Sequence, residues 1–345
     1  MTLFTQNITT DLETFFPENV SEPLFVLTDT NTARHCLPLI RHGRLAQAHL
    51  ITVPVGDAHK TLDTLAYVWT ALVEQGATRH SLLVNLGGGM VTDLGGMAAA
   101  TFKRGIRFVN VPTTLLGAVD AATGGKTGIN FCGLKNEIGV FAQPEAVLID
   151  SRFFHTLDTE DLLSGLAEMM KHALISDYGL WRDTLAFDLD HIIDENLNAL
   201  IRRNLEIKEK IIALDPKEHG LRKALNFGHT FGHAFETLSH TTARPLPHGF
   251  AVMWGMLCEL YLSCEKFGFP KSVLAETLCF AKENYGTFPF DCKQYDILLE
   301  LMHHDKKNEA QTVNFTLLGD VGDVRIDQTA DKESIFAALD FVREN

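Results

Sequence analysis

Two histidines lie one helical turn apart in LNFGHTFGHAFE, residues 225–236, a stretch with the apolar pattern of a helix. His229 and His233 would share one helix face, because four residues make about one turn. By itself this spacing favours a site in which both imidazoles bind one metal ion. The alternative, that one histidine binds the metal and the other has a different role, stays open from the spacing alone.

Two glycine-rich stretches could bind an anion. NLGGGMVTDLGGMAAA (85–100) and VPTTLLGAVDAATGGKTGIN (111–130) each combine closely spaced glycines with polar side chains. Glycines let backbone amides approach a negative charge at a helix N-terminus. Neither stretch is G-x-G-x-x-G, and a tight turn with close helix packing explains a single loop equally well. Two such loops together favour a nucleotide cofactor.

Hydrophobic patterns divide the chain into two halves, which predicts domains at 1–150 and 151–345. Short apolar runs separated by helical patterns predict a Rossmann-like, mostly parallel sheet in the first half. The predicted strands are 25–29, 49–53, 81–87, 107–112 and 146–150. The second half has mainly helical periodicity, with one late β-hairpin signal at 312–326 and a final helix. The expected fold class is therefore α/β + α.

Composition limits the partners. The 345 residues are 46% hydrophobic and 21% charged, with a formal net charge of −14, which argues against nucleic acid or an anionic membrane. The six scattered cysteines form no C-x-x-C and predict reduced thiols. Without a signal-peptide pattern or a long apolar span, a cytoplasmic location is expected. Lysines in glycine-lined segments suggest a small anionic ligand.

Six blocks, in their order along the chain, resemble the 3-dehydroquinate synthase family of the sugar phosphate cyclases. They are GGGMVTDLGG, VPTTLLGAVDAATGGKTGIN, GLKNEIGVFAQP, GLAEMMKHALI, GLRKALNFGHTFGHAFE and HGFAVMWGM. Any one block is weak evidence, but six at family-like intervals across nearly the whole chain are specific. The resemblance implies a nucleotide-binding α/β domain followed by a helical metal-binding domain, as the hydrophobic patterns also predict.

The resemblance implies a divalent metal, zinc or alternatively cobalt, held by Glu168, His229 and His248. Two imidazoles and one carboxylate suit Zn²⁺ and leave positions open for substrate oxygens. The second histidine ligand then comes from PHG, nineteen residues after His229. His233 is left beside the metal as a polar or proton-handling contact.

The resemblance also implies polar contacts to an anionic sugar phosphate. The implied catalytic side chains, besides His233, are Asp120, Lys126, Lys171, Lys208, Arg222 and Asn226. The implied substrate-binding side chains are Arg104, Lys126, Lys135, Asn136, Lys208, Arg222, Asn226 and Lys306. Arg104 matches an arginine that reaches the partner subunit's site, so a homodimer is expected. We assign Arg222 and Lys208 to the substrate carboxylate, and Lys126, Asn136, Lys306 and the partner's Arg104 to its phosphate.

NAD is the implied nucleotide. Its expected contacts are Asp29, Asn31, Asp57, Lys60, Gly88, Gly89, Asp93, Thr113, Thr114, Asp120, Lys126 and Lys135. The chain departs from the family pattern at Asp57, where glutamate is usual, and at Ala121 and Ala122, which replace hydroxyl side chains. Phe250 replaces an acidic residue after the HG of HGFAVMWGM, so a carboxylate supporting the metal ligands is expected to be missing there.

The implied activity is that of a phosphate-eliminating carbon–oxygen lyase. It converts 3-deoxy-D-arabino-heptulosonate 7-phosphate to 3-dehydroquinate, the shikimate-pathway step toward chorismate and the aromatic amino acids. NAD is reduced and reoxidised within one turnover, and an intramolecular aldol step closes the ring. The alternatives are another sugar phosphate cyclase, a metal-dependent polyol dehydrogenase, or a non-catalytic binding protein.

Overall fold

The computed structural model describes residues 1–132, 134–189, 191–192, 194–242, 244–303 and 313–345. Within it the chain forms two compact units, Met1–Asp158 and Thr159–Asn345. The predicted substrate contact Lys306 lies outside the described residues.

The first unit is built on a six-stranded sheet whose strand pairs are all parallel. Its strands are β1 (Thr2–Phe4), β2 (Leu24–Asp29), β3 (His49–Val53), β4 (Leu82–Gly87), β5 (Arg107–Pro112) and β8 (Val147–Ile149). Their spatial order across the sheet is β1-β8-β5-β4-β2-β3. Every residue of β2 and β4 is buried, as expected for strands covered on both faces.

Helices cover both faces of this sheet. They are α1 (Ile8–Glu13), α2 (Thr30–His35), α3 (Leu37–Ile40), α4 (Leu62–Glu74) and α5 (Gly89–Thr101). Alternate residues of β2 enter two different hydrophobic clusters, Phe25 and Leu27 in one, Leu24 and Val26 in the other. The alternation follows from the two-residue period of a strand, and it places one core on each side of the sheet.

A hairpin, β6 (Lys126–Phe131) and β7 (Leu134–Phe141), was not expected from the sequence. Its strands are antiparallel and belong to a separate two-stranded sheet. Gly128 and Gly139 lie opposite each other, and a Cβ at Gly139 would be 2.2 Å from Thr127 O. The second glycine-rich stretch therefore continues into a close backbone pairing.

The second unit is mainly helical. Its elements are α6 (Thr159–Leu174), α7 (Tyr178–Leu185), α8 (Asp194–Leu214), α9 (His229–Ser239), α10 (His248–Phe267), α11 (Lys271–Tyr285), α12 (Tyr295–His303), a hairpin of β9 (Asn314–Asp320) and β10 (Asp323–Thr329), and α13 (Lys332–Glu344). Helix α10 is buried along most of its length, so it forms the centre of this unit. No helix in the described part of the chain is long and apolar enough to cross a membrane.

The helix expected over residues 225–236 begins only at His229, so the prediction was wrong for residues 225–228. Gly228 adopts a left-handed conformation with φ of 79°, which ends the preceding short turn and starts the helix. The fully buried Glu259 on α10 accepts the Gly228 N–H at 2.8 Å. This contact fixes the backbone just before the helix, so that His229 occupies the first position of α9.

Candidate metal centre and cofactor-binding edge

Three side chains suited to metal binding meet in the second unit, each from a different helix. Glu168 lies in α6, and His229 and His248 are the first residues of α9 and α10. The Glu168 Oε1 atom is 3.5 Å from His229 Nε2 and 3.4 Å from His248 Nε2. These are the three residues that the family resemblance implied as ligands.

Close backbone packing brings the three helices together. A Cβ at Gly255 of α10 would lie 2.0 Å from Gly228 O and 2.6 Å from Gly232 N of α9. A Cβ at Gly249 would lie 2.3 Å from Ser164 Cα of α6. Glycine at these two positions thus lets α10 approach both α6 and α9, which brings the three ligands together. A larger residue at either position would separate the helices.

The donor set fits a divalent cation such as zinc. Ligands held about 2.0–2.2 Å from a tetrahedral ion are about 3.3 Å apart, close to the separations of the Glu168 oxygen from both imidazoles. The Nδ1 atom of His229 is 3.1 Å from the Phe227 carbonyl. The Nδ1 atom of His248 is 3.3 Å from Glu236 Oε2. With a proton on each Nδ1, both Nε2 lone pairs point to the Glu168 side, as metal-ligating histidines require.

Glu236 is a candidate functional residue that the sequence reasoning missed. Glu236 is only 3% exposed and its carboxylate lies beside His248, so a carboxylate from α9 contacts this histidine although none is present at position 250. The sequence did hold a signal, because Glu236 follows His229 by seven residues, two turns along the same face of α9. Phe250 instead packs against the Tyr285 ring, with ring centroids 4.9 Å apart.

We expect Glu236→Gln to bind zinc about 10–100-fold more weakly than the wild type, because a partner carboxylate orients a histidine ligand and makes it more basic. Competition with a chromophoric chelator measures the zinc Kd. Glu276→Gln, on the exposed side of α11, is the matched control and should leave the Kd unchanged. Equal zinc affinity in Glu236→Gln and the wild type would show that this contact does not support the ligand.

Without a metal, the carboxylates around His248 hold a proton on its imidazole. Burial would lower the pKa of His248, but Glu236 and Glu168 outweigh burial and raise it to about 10. A metal ion must displace that proton, so metal binding at neutral pH releases it.

His233 lies beside these three residues. Its ring centroid is 5.3 Å from that of His229 and 6.1 Å from that of His248. The side chain is therefore near the candidate metal position, while His229, His248 and Glu168 form a set whose ligand atoms all lie within 4.8 Å of one another. Its proton-handling role stays a prediction.

The second unit contains three buried cations among the implied site residues. Lys171 is 1% exposed and forms an ion pair with Glu168, one helical turn away on α6. Lys208 on α8 and Arg222 in the turn at 221–226 are 5% and 2% exposed. Such burial needs anionic partners, because a desolvated cation is otherwise costly.

The loop before Arg222 is organised by Asp215. Its carboxylate accepts the backbone N–H groups of His219, Gly220 and Arg222 at 3.0, 2.7 and 3.0 Å. Arg222 Nη1 donates to Pro216 O at 2.8 Å. Asn226 Nδ2 donates to Glu218 Oε1 at 2.8 Å, which identifies Glu218 as a further polar neighbour that was missed.

In the first unit, the expected cofactor contacts gather at the carboxyl edge of the parallel sheet. The direction in which successive strands are added to the sheet reverses at β2. Strand β3 lies on one side of β2, whereas β4 and then β5 lie on the other side. Such a reversal is where nucleotides bind in open α/β sheets. Gly88 precedes α5 at this edge, and Thr113 N donates to Gly87 O at 3.1 Å, which joins the loops after β4 and β5.

A buried hydroxyl at this edge fits a polar ligand. Thr113 is 1% exposed, and its Oγ1 has no hydrogen-bond partner among the described residues. Thr114 Oγ1 accepts Gly117 N–H at 3.0 Å, which starts the turn at 117–121 that carries the half-buried Asp120. An unsatisfied buried hydroxyl beside a helix N-terminus suits a phosphate or ribose oxygen.

An ion-pair network joins the loop after β3 to α5 and to β7. Lys60 Nζ is 3.0 Å from Asp93 Oδ2 and 3.2 Å from Asp57 Oδ1, and Lys135 Nζ is 3.3 Å from Asp57 Oδ2. Burial alone would lower the pKa of Lys60, but Asp93 and Asp57 raise it above its ordinary value. Burial would raise the pKa of Asp57, but Lys60, Lys135 and Asn130 lower it. Asp57 and Lys60 are therefore both charged at neutral pH.

The remaining implied residues of the first unit lie at turns and helix ends. Asp29 Oδ1 caps α2 by accepting the N–H groups of Asn31 and Thr32, both at 2.8 Å, so part of its carboxylate has a structural role. Lys126 is exposed at the start of β6. Arg104 is exposed after α5, in a left-handed conformation with φ of 67°.

The two units together define the fold of the sugar phosphate cyclases, which confirms the expected fold class. A structure of 2-deoxy-scyllo-inosose synthase, complexed with carbaglucose-6-phosphate, NAD⁺ and Co²⁺, matches with a TM-score of 0.84 and 22% identity, covering 100% of this chain and 96% of that one. The 2-epi-5-epi-valiolone synthase of Streptomyces hygroscopicus, with NAD⁺ and Zn²⁺ bound, matches with a TM-score of 0.83 and 24% identity over the same shares.

Sequence comparison identifies the family. The 3-dehydroquinate synthase N-terminal family model matches residues 50–164, and the corresponding C-terminal model matches residues 165–308. The chain is 51% identical to the 3-dehydroquinate synthase of Parabacteroides distasonis over 341 residues, which cover 99% of this chain and 97% of that protein. The chain belongs to the 3-dehydroquinate synthase family, as its sequence blocks had indicated.

Proposed function

We propose that the chain is a carbon–oxygen lyase that converts 3-deoxy-D-arabino-heptulosonate 7-phosphate to 3-dehydroquinate and phosphate. The observation that carries this proposal is the 51% identity to a 3-dehydroquinate synthase over nearly the whole chain. The convergence of Glu168, His229 and His248 supports it with a site suited to the metal that such chemistry uses.

Glu168, His229 and His248 would hold zinc, or alternatively cobalt, and the carboxyl edge of the first unit's sheet would hold NAD. When bound, the metal polarises substrate oxygens and acidifies a hydroxyl, and NAD accepts a hydride and later returns it. The cofactors present in the two similar cyclase structures support this assignment.

The protein's own side chains would bind the substrate and move its protons. Arg222 and Lys208 would pair with the substrate carboxylate, the guanidinium by two parallel hydrogen bonds. Lys171 would stabilise negative charge that develops during phosphate elimination, because a desolvated ammonium acts strongly in a buried site. His233 would exchange protons with the substrate, while Asn226 would orient it. Three points stay predictions. They are that a partner subunit contributes Arg104, that the protein is a homodimer, as this contribution requires, and that it is cytoplasmic.

A phosphate-release assay tests the reaction. Purified protein with the heptulosonate phosphate, trace NAD⁺ and zinc should release phosphate and form 3-dehydroquinate with no net NADH. Chelation of the metal should abolish release, and added zinc or cobalt should restore it. Release only from a different sugar phosphate would indicate another cyclase, and net NADH from a polyol would indicate a dehydrogenase; either result would overturn the proposal.

A further inference from the structure

The side chain of Asn130, at the end of β6, connects two segments of the first unit. One is the loop after β3, which contains Asp57 and Lys60. The other is the start of β7, which contains Asn136. The family resemblance implies that the loop contacts NAD and that Asn136 contacts the substrate phosphate.

Both ends of the Asn130 carboxamide and its backbone N–H are used in this connection. Its Nδ2 donates to Asp57 O at 3.0 Å and to Asp57 Oδ2 at 3.1 Å. Its Oδ1 accepts the Asn136 N–H at 2.9 Å. Its own backbone N–H donates to Lys60 O at 2.7 Å. A carboxamide is suited to this position, because it donates at one end and accepts at the other.

The contact at Asn136 holds a backbone conformation that needs support. Asn136 has φ of 51°, in the left-handed region that residues other than glycine seldom adopt. The Asn130 carbonyl oxygen fixes the N–H of this residue. Loss of that acceptor would leave the start of β7 free to relax and would misplace a phosphate contact.

The contact at Asp57 places one carboxylate between two lysines, both expected to contact NAD, of which Lys135 is also an expected substrate contact. Asp57 is 3.2 Å from Lys60 and 3.3 Å from Lys135. A ribose hydroxyl that donates to Asp57 competes with Lys135 and so releases its ammonium for an anion. Because Asn130 holds Asp57 and Asn136 together, a ligand at one segment affects the geometry of the other.

We propose that Asn130 is a positioning residue that couples the binding of NAD to the binding of the substrate phosphate group. The inference deepens the proposed function and rests on it for the ligands of the two segments. Coupling between two sites is reciprocal and commonly changes affinity by about 5–150-fold.

Calorimetric titration of NAD⁺ into zinc-loaded protein, with and without saturating inorganic phosphate, tests the inference. In the wild type we expect phosphate to tighten NAD⁺ binding by about fivefold or more. In Asn130→Ala this ratio should fall below about twofold, because both segments lose their connection. Asn130→Asp retains an acceptor for Asn136 but loses both donors to Asp57, so it should also lose the coupling and bind NAD⁺ more weakly.

The exposed Asn196→Ala on α8 is the matched control and should retain the wild-type ratio. A purely structural role would lower thermal stability without changing the ratio, and a retained ratio in folded Asn130→Asp would overturn the inference. Absence of coupling in the wild type would also overturn the inference. Failure of the proposed function looks different, since the wild type would then release no phosphate from the heptulosonate phosphate.

Discussion

Glu168→Gln is expected to lose bound zinc and turnover together. The substitution removes the only carboxylate of the candidate ligand set while keeping the side-chain shape, and it leaves two neutral imidazoles for a divalent ion. A bound metal contributes several kcal/mol of charge stabilisation, so kcat should fall by about 1000-fold or more. Elemental analysis of the purified protein and the phosphate-release assay measure the two losses.

Glu160→Gln is the matched control for Glu168→Gln, because it lies on the same helix with a side chain that is 47% exposed. Its ion pair with Arg244 is on the surface and contributes little to stability. The control should retain both metal and turnover. Full turnover by metal-free Glu168→Gln protein would contradict the assignment of the metal centre.

Lys171→Met is expected to keep the metal but to lower kcat by about 100–1000-fold, with a smaller change in KM. The ammonium is fully buried against Glu168, where it can stabilise charge that appears only during the reaction. In metal-free protein the same substitution leaves a buried carboxylate without this cation, which costs about 3–5 kcal/mol of unfolding free energy. Zinc should recover most of that loss, because it replaces the missing positive charge.

Steady-state kinetics and denaturant unfolding with and without zinc separate the two effects of Lys171→Met. Lys210→Met, exposed on α8, should behave as the wild type in both measurements. A defect confined to KM would reject a role for Lys171 in stabilising developing charge.

Much of the first unit could be predicted from local sequence. The expected strands at 49–53 and 107–112 coincide with β3 and β5, because each is a short apolar run bounded by turn residues. The hairpin of β6 and β7 was missed for the opposite reason. Most of β7 is exposed, so its sequence lacks the alternation that marks a half-buried strand.

Local sequence patterns also failed to identify the ligands of the candidate metal centre. The resemblance to the family implied Glu168, His229 and His248, whereas helical spacing by itself favoured His229 with His233. The structure brings His248 to Glu168 through the packing of α10 on α6, and that contact depends on Gly249. No helical period in the sequence reports such a long-range approach.

By itself the sequence determined most strands of the parallel sheet, the change from an α/β half to a helical half, the family and the chemical types of the site residues, because these depend on local periodicity and on motifs along the chain. Tertiary structure alone decided that α9 begins at His229, that Glu236 contacts His248 and that Asn130 joins the loop after β3 to β7. The physical reason is that hydrogen bonds and close backbone contacts between distant segments form only after the elements pack.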